Sequence, residues 1–165
     1  LTAEASARTT AELKRRLGTL AYVIETLRSV RNFESIRVTV DCYDPDGDHV
    51  WTGKAVGVLI GNGRRFPPGG SEQANMEDGR FDVTLVTDSG SLSLMTTATV
   101  ERLLARQTPW TSRYRVPELR ITVDDGPVAF SLDGEIIRRC RLSLSTRPKA
   151  IRLAVGDRYD PSPDR

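Results

Sequence analysis

Two short phrases set carboxylates beside glycine: Asp78-Gly79 within "NMEDGRF" (75–81), and Asp133-Gly134-Glu135 within "FSLDGEI" (130–136). A carboxylate can ligate a hard cation or take a proton from an alcohol. Asp-Gly is also a common hairpin turn. The residues alone therefore leave two readings, two turns or two parts of one split site. Arg64 and Arg65 in "NGRRF" can meet phosphate bidentately, or stand as solvated loop charges. His49 is the only histidine and falls in an expected turn, so any Ser-His-Asp or Cys-His centre would depend on it. Asp44, Asp46 and Asp48 have the spacing of a calcium loop, but His49 stands where a glycine must follow and Ala55 where a glutamate is needed. "DPDGD" is therefore a turn. Cys42 and Cys140 lie on the apolar register of alternating stretches with no zinc spacing, which predicts buried free thiols.

The elements that must position these residues fit one domain of 165 residues, 38% hydrophobic and 28% charged. A net charge of +2 gives no field for a polyanion, so no nucleic-acid partner is expected. No apolar run approaches the roughly 18 residues that span a bilayer. The opening "LTAEASARTT" lacks the layout of a signal peptide, and the absence of an initial Met suggests a fragment or processed form.

Leu13, Leu17, Leu20, Ile24 and Leu27 form one helical stripe, capped at Thr9 and Glu12, so residues 1–32 read as an N-terminal helix. The period then changes to two. Strands are expected at 36–42, 55–61 (buried on both faces), 80–88, 119–123, 128–132, 136–144 and 151–155, with a short helix at 97–107 and a hairpin at "DDG" (124–126). Trp51 and Trp110 read as core or rim residues. This pattern predicts a mainly β fold, an antiparallel β-sandwich over 33–156 with an N-terminal α-helix and one short further helix. The tail, 157–165, has the composition of a disordered end.

Four stretches, in order, resemble the C-terminal domain of the bacterial diacylglycerol kinase and sphingosine kinase-like lipid kinases: "LKRRLGTLAYVIETLRSV" (13–30), "VGVLIGNGRRF" (56–66), "ANMEDGRFDVTLV" (74–86) and "VAFSLDGEI" (128–136). The chain departs from the family pattern at Pro67 and Pro68, where glycines are usual, and at Glu72, where a proline is usual. The resemblance implies that Asp78, with the main-chain carbonyls of Asn75 and Arg80, holds a structural Mg²⁺. It implies that Glu135, near Asp133, accepts the proton of a lipid hydroxyl as ATP gives up its γ-phosphoryl. It also implies a separate N-terminal nucleotide-binding domain as partner, since no Gly-Gly-Asp-Gly loop occurs in this sequence. The parent would be cytoplasmic and visit the membrane surface peripherally, with homodimerisation left open, and this portion alone would be inactive. The alternatives are a non-catalytic lipid- or protein-binding module and a kinase acting on NAD.

Overall fold

The computed structural model describes residues 35–62, 77–87, 108–133, 135–157 and 159. The helices expected at 1–32 and 97–107, Arg64, Arg65, Asn75 and most of the tail lie outside the described residues. Among the described residues there are eight strands: β1 (Ile36–Tyr43), β2 (His49–Gly61), β3 (Phe81–Thr87), β4 (Thr111–Val116), β5 (Glu118–Val123), β6 (Val128–Leu132), β7 (Glu135–Arg139) and β8 (Arg141–Ser145). Six form one antiparallel sheet in the order β4-β3-β2-β1-β5-β8, while β6 and β7 form a separate two-stranded sheet.

Alternation explains the core. Val38, Val40 and Cys42 of β1 lie opposite Val123, Ile121 and Leu119 of β5, and all six are buried. The intervening Arg37, Thr39 and Asp41 point to the wetter face. Ala55 of β2, Val83 and Leu85 of β3 and Val116 of β4 complete the cluster, and Val128 and Phe130 of the small sheet pack against it. Each fully buried side chain of this kind contributes about 1.5–3 kcal/mol. The expected mainly β, antiparallel character thus holds among the described residues, but in place of two comparable sandwich sheets there is one large sheet and a single hairpin.

Chain geometry then dictates a curl. β4 and β5 stand at positions one and five of the sheet order, yet Pro117 alone joins them. The sheet must bend until the end of β4 meets the start of β5. Right-handed strand twist gives the sense of the bend, and the bulge between Ala55 and Gly57 in β2 adds to it. The curl also brings the rings of His49 and Tyr114, on non-adjacent strands, to 5.7 Å between centroids.

Several expectations need correction. His49 is the first residue of β2, opposite Cys42, because the 44–48 turn is tight enough to leave it in the ladder. The run 55–61 is only half-buried beyond Ala55, since the bulge rotates the strand. β4 was not expected; its arginines obscure the alternation, and it lies at a sheet edge where charge is tolerated. The expected strand 136–144 breaks at Cys140, since β7 pairs with β6 and β8 with β5. Residues 124–126 link two sheets rather than form a hairpin. Residues 151–155 have no ladder, and Ile151, Leu153 and Val155 are exposed.

The break at Cys140 leaves that thiol exposed, against expectation, while Cys42 is buried. Burial, with Asp41 adding a smaller push, raises the Cys42 thiol to about 11. A thiol reagent near roughly pH 8 attacks the thiolate. It should therefore modify Cys140 in the folded chain and reach Cys42 only after denaturation. Fast modification of both thiols under native conditions would contradict this burial pattern.

Candidate functional site

The turn carrying Asp78 is set by glycine. Gly79 has φ +69°, and a Cβ placed there would lie 2.5 Å from Cγ of Pro148. Only a residue without a side chain fits both demands. The Gly79 carbonyl accepts a hydrogen bond from the Thr146 hydroxyl. Thr146 also reaches the Pro117 carbonyl through its hydroxyl, at 3.2 Å, and through its N–H, at 2.9 Å. The Asp78 turn is therefore docked where the curl closes.

Both oxygens of Asp78 are engaged. Oδ1 accepts the Arg80 N–H at 2.8 Å, a local turn bond. Oδ2 pairs with Nη2 of Arg115 at 2.7 Å, with the Asp78 side chain 19% exposed. Arg80 turns its guanidinium the other way. It bonds both carboxylate oxygens of Asp44, the longer contact at 3.4 Å, approaches Asp46 at 3.6 Å, and donates to the Arg115 carbonyl at 3.0 Å. Arg80 thus ties the β1–β2 turn to the entry of β3 and the end of β4.

The electrostatics follow from these contacts. The Asp46 N–H, then the Arg80 hydrogen bond, hold the Asp44 carboxyl below its ordinary value of 3.8. The Asp44 hydrogen bond raises Arg80 above its already high value. A carboxyl depressed in the folded state adds stability above its unfolded pKa and loses it as pH falls through the folded value. The melting temperature should therefore drop on acidification below about pH 4, and Asp44→Asn should flatten that part of the profile. An unchanged acid limb in the variant would remove this role from Asp44.

Asp133 and Glu135 sit elsewhere. Leu132 pairs with Glu135 across the two-residue link Asp133-Gly134, and Asp133 has φ +48°. A hairpin of this length calls for positive φ in its loop, and Asp tolerates it better than most residues. Both carboxylates are exposed. Among the described residues, no hydrogen bond or ion pair joins this pair to Asp78 or Arg80; one pair leads into the large sheet and the other caps the small one. Arg115 was not singled out in the sequence, and Asp44 was read only as a turn residue. No local signal marks either, because their partners are distant in the chain: Arg80 reaches 36 residues to Asp44.

Among the described residues, no three His, Cys, Asp or Glu side chains group as a metal site. A single carboxylate with main-chain carbonyls is a different donor set, all hard oxygen, and its chemistry suits Mg²⁺. Asp78 and the Arg80 carbonyl are of that donor type, but both Asp78 oxygens are already engaged, and Asn75 lies outside the described residues.

Comparison with known proteins then decides the relationship. Residues 2–155 match the family described as the YegS C-terminal NAD kinase beta sandwich-like domain. The chain belongs to this family. The YegS C-terminal domain is part of the diacylglycerol kinase-like lipid kinase family. A relative from Stenotrophomonas maltophilia (strain K279a), named "Probable lipid kinase YegS-like", is 31% identical over 88% of this chain and 47% of its own length. One of the same name from Alcanivorax borkumensis is 30% identical over 93% of this chain and 51% of its own length. The chain thus spans about half the length of the curated relatives it matches. Two solved structures described as a "putative diacylglycerol kinase" from Bacillus anthracis str. Sterne overlay at TM-scores of 0.56 and 0.57. Both are 23% identical, cover 83% and 84% of this YegS-type domain, and are matched over 46% of their own length. At that identity they support its fold alone.

Proposed function

We propose that the chain is the lipid-side, C-terminal portion of an ATP-dependent kinase that phosphorylates the hydroxyl of diacylglycerol or a related long-chain lipid. The observation that carries this reading is the family match over residues 2–155 in a chain whose curated relatives are named as lipid kinases and are about twice as long. The geometry adds an exposed carboxylate pair, Asp133 and Glu135, on a tight turn clear of the core.

In this reading Glu135 accepts the proton of the lipid hydroxyl as the oxygen attacks phosphorus. Asp133 orders the turn that presents Glu135. The nucleotide is held by the other half of the parent, and the lipid lies between the two domains. Asp78 and the main-chain carbonyls of Asn75 and Arg80 would hold Mg²⁺, which would brace the turn leading into β3. The parent works in the cytoplasm and at the membrane surface.

A second reading has one observation in its favour: Arg115 already neutralises Asp78, as a purely structural or binding domain would require. The test is radiolabelled phosphoryl transfer from ATP by the two-domain parent, offered mixed lipids and, separately, NAD. The expected result is label in diacylglycerol-type lipids and none from the present chain alone. Label only in NAD, or no transfer by a folded parent, would overturn the lipid kinase reading.

A further inference from the structure

Residues 147–155 are exposed from end to end. They include Ile151, Leu153 and Val155, with relative exposures of 78%, 68% and 55%, and three cations, Arg147, Lys149 and Arg152. A single exposed aliphatic is ordinary, but three within 151–155 form a patch, and such patches mark protein or membrane contacts. Residues 151–155 take no place in either sheet, so their exposure is not the outer face of a ladder. The stretch is nonetheless held at both ends. At one end Thr146 hydrogen-bonds the Pro117 carbonyl, and the Pro148 ring lies against Gly79. At the other the Tyr159 hydroxyl donates to Glu77, and the Tyr159 N–H donates to the Gly156 carbonyl. The aliphatics are therefore presented between two anchors.

Charge decides what the patch fits. Between Glu135 and Asp157 the sequence has six cations and no carboxylate, in a chain whose net charge is only +2. Among the described residues, Arg147, Lys149 and Arg152 enter no ion pair. A protein groove would have to supply matching shape and negative charge together. An anionic lipid surface needs no fixed shape: its acyl boundary takes aliphatic side chains while its phosphates meet the cations. We propose that residues 147–155 are a docking edge for an anionic lipid surface, with Ile151 and Leu153 entering the acyl boundary and Arg147, Lys149 and Arg152 at the phosphates. The proposal rests on the lipid kinase reading for its purpose, since an enzyme acting on a long-chain lipid must meet the surface that holds it. The contact itself is measurable without catalysis.

The test is co-sedimentation of the 165-residue chain with vesicles of phosphatidylcholine alone and of phosphatidylcholine mixed with phosphatidylglycerol, each variant first checked for folding by circular dichroism. The chain should bind the mixed vesicles and not the neutral ones, and added NaCl should weaken the binding. Arg147→Gln/Lys149→Gln/Arg152→Gln should bind roughly a hundredfold more weakly, and Ile151→Ser/Leu153→Ser roughly tenfold more weakly. Arg37→Gln/Lys54→Gln, which removes exposed cations from β1 and β2, should bind like the unmodified chain. Hydrogen exchange at 151–155 should slow when mixed vesicles are added. The salt and exchange measurements need no variant. No binding to mixed vesicles, equal binding to neutral ones, or an equal loss in the Arg37→Gln/Lys54→Gln variant overturns the proposal. So does slow exchange at 151–155 without vesicles, whether in the chain at raised concentration, where a second copy covers the patch, or in the two-domain parent, where the other half does. Binding without phosphoryl transfer by the parent keeps the docking edge and removes the kinase reading; transfer without binding does the reverse.

Discussion

Replacing Glu135 with alanine in the two-domain parent is expected to lower lipid phosphorylation by about 10²–10⁴-fold, the usual worth of a positioned general base. Folding should survive. Glu135 is exposed at the start of β7 and contributes nothing to the buried core, and surface changes away from special features usually stay within about 0.5 kcal/mol. The effect should fall on kcat, with the KM for ATP nearly unchanged, because in the proposed function the other half of the parent holds the nucleotide. Glu135→Gln should be nearly as impaired as alanine, since it keeps the shape but not the basicity. Transfer within tenfold of the unmodified rate, measured by label in the extracted lipid, would take the proton-accepting role away from Glu135.

The largest expected loss of stability comes from one methyl group. Gly79→Ala would hold a non-glycine residue at φ +69° and press its Cβ to 2.5 Å from Cγ of Pro148. Backbone strain of this kind costs about 1–3 kcal/mol, and overpacking a tight contact costs about as much again. A combined loss of about 3 kcal/mol corresponds, in a chain of this size, to a drop of roughly 6–12 °C in melting temperature. Denaturant unfolding of both proteins is the check, and a change below about 0.5 kcal/mol would show that the turn relaxes freely. Pro148→Ala should relieve the clash and leave the strain, so the double variant separates the two causes.

The sequence disclosed the parts of this molecule that are written locally. Alternation gives β1, β3 and β5, and it marks Val38, Val40, Ile121 and Leu119, which are buried. Asp-Gly at 78–79 and 133–134 marks two turns, and both are turns of the positive-φ kind. Pairing was not legible. The alternating stretch 136–144 reads as one strand because period two carries no information about which neighbour a strand takes, so the change of sheet at Cys140 went unseen. Residues 151–155 alternate equally well and pair with nothing in the large sheet or the small one. The network around Asp78 was hidden for a related reason. Arg80 and Arg115 are neighbours through the β3–β4 ladder, but Asp44 meets them only because Pro117 forces the sheet to curl, and that constraint appears only once the strand order is known. The family resemblance supplied the candidate roles of Asp78 and Glu135, which spacing could not have assigned.

The separateness of the β6–β7 hairpin has a consequence for motion. A lone two-stranded hairpin is marginal by itself, and this one rests on the core through Val128 and Phe130. It can open as its own unit, at a free energy well below that of unfolding the whole chain. The carboxylates Asp133 and Glu135 therefore ride on the softer part of the molecule, while Asp78 is tied to the stiffer part. A partner domain that pressed on the hairpin could reposition Glu135 without disturbing the barrier to global unfolding, so the placement of that carboxylate could be tuned on a timescale the core never feels.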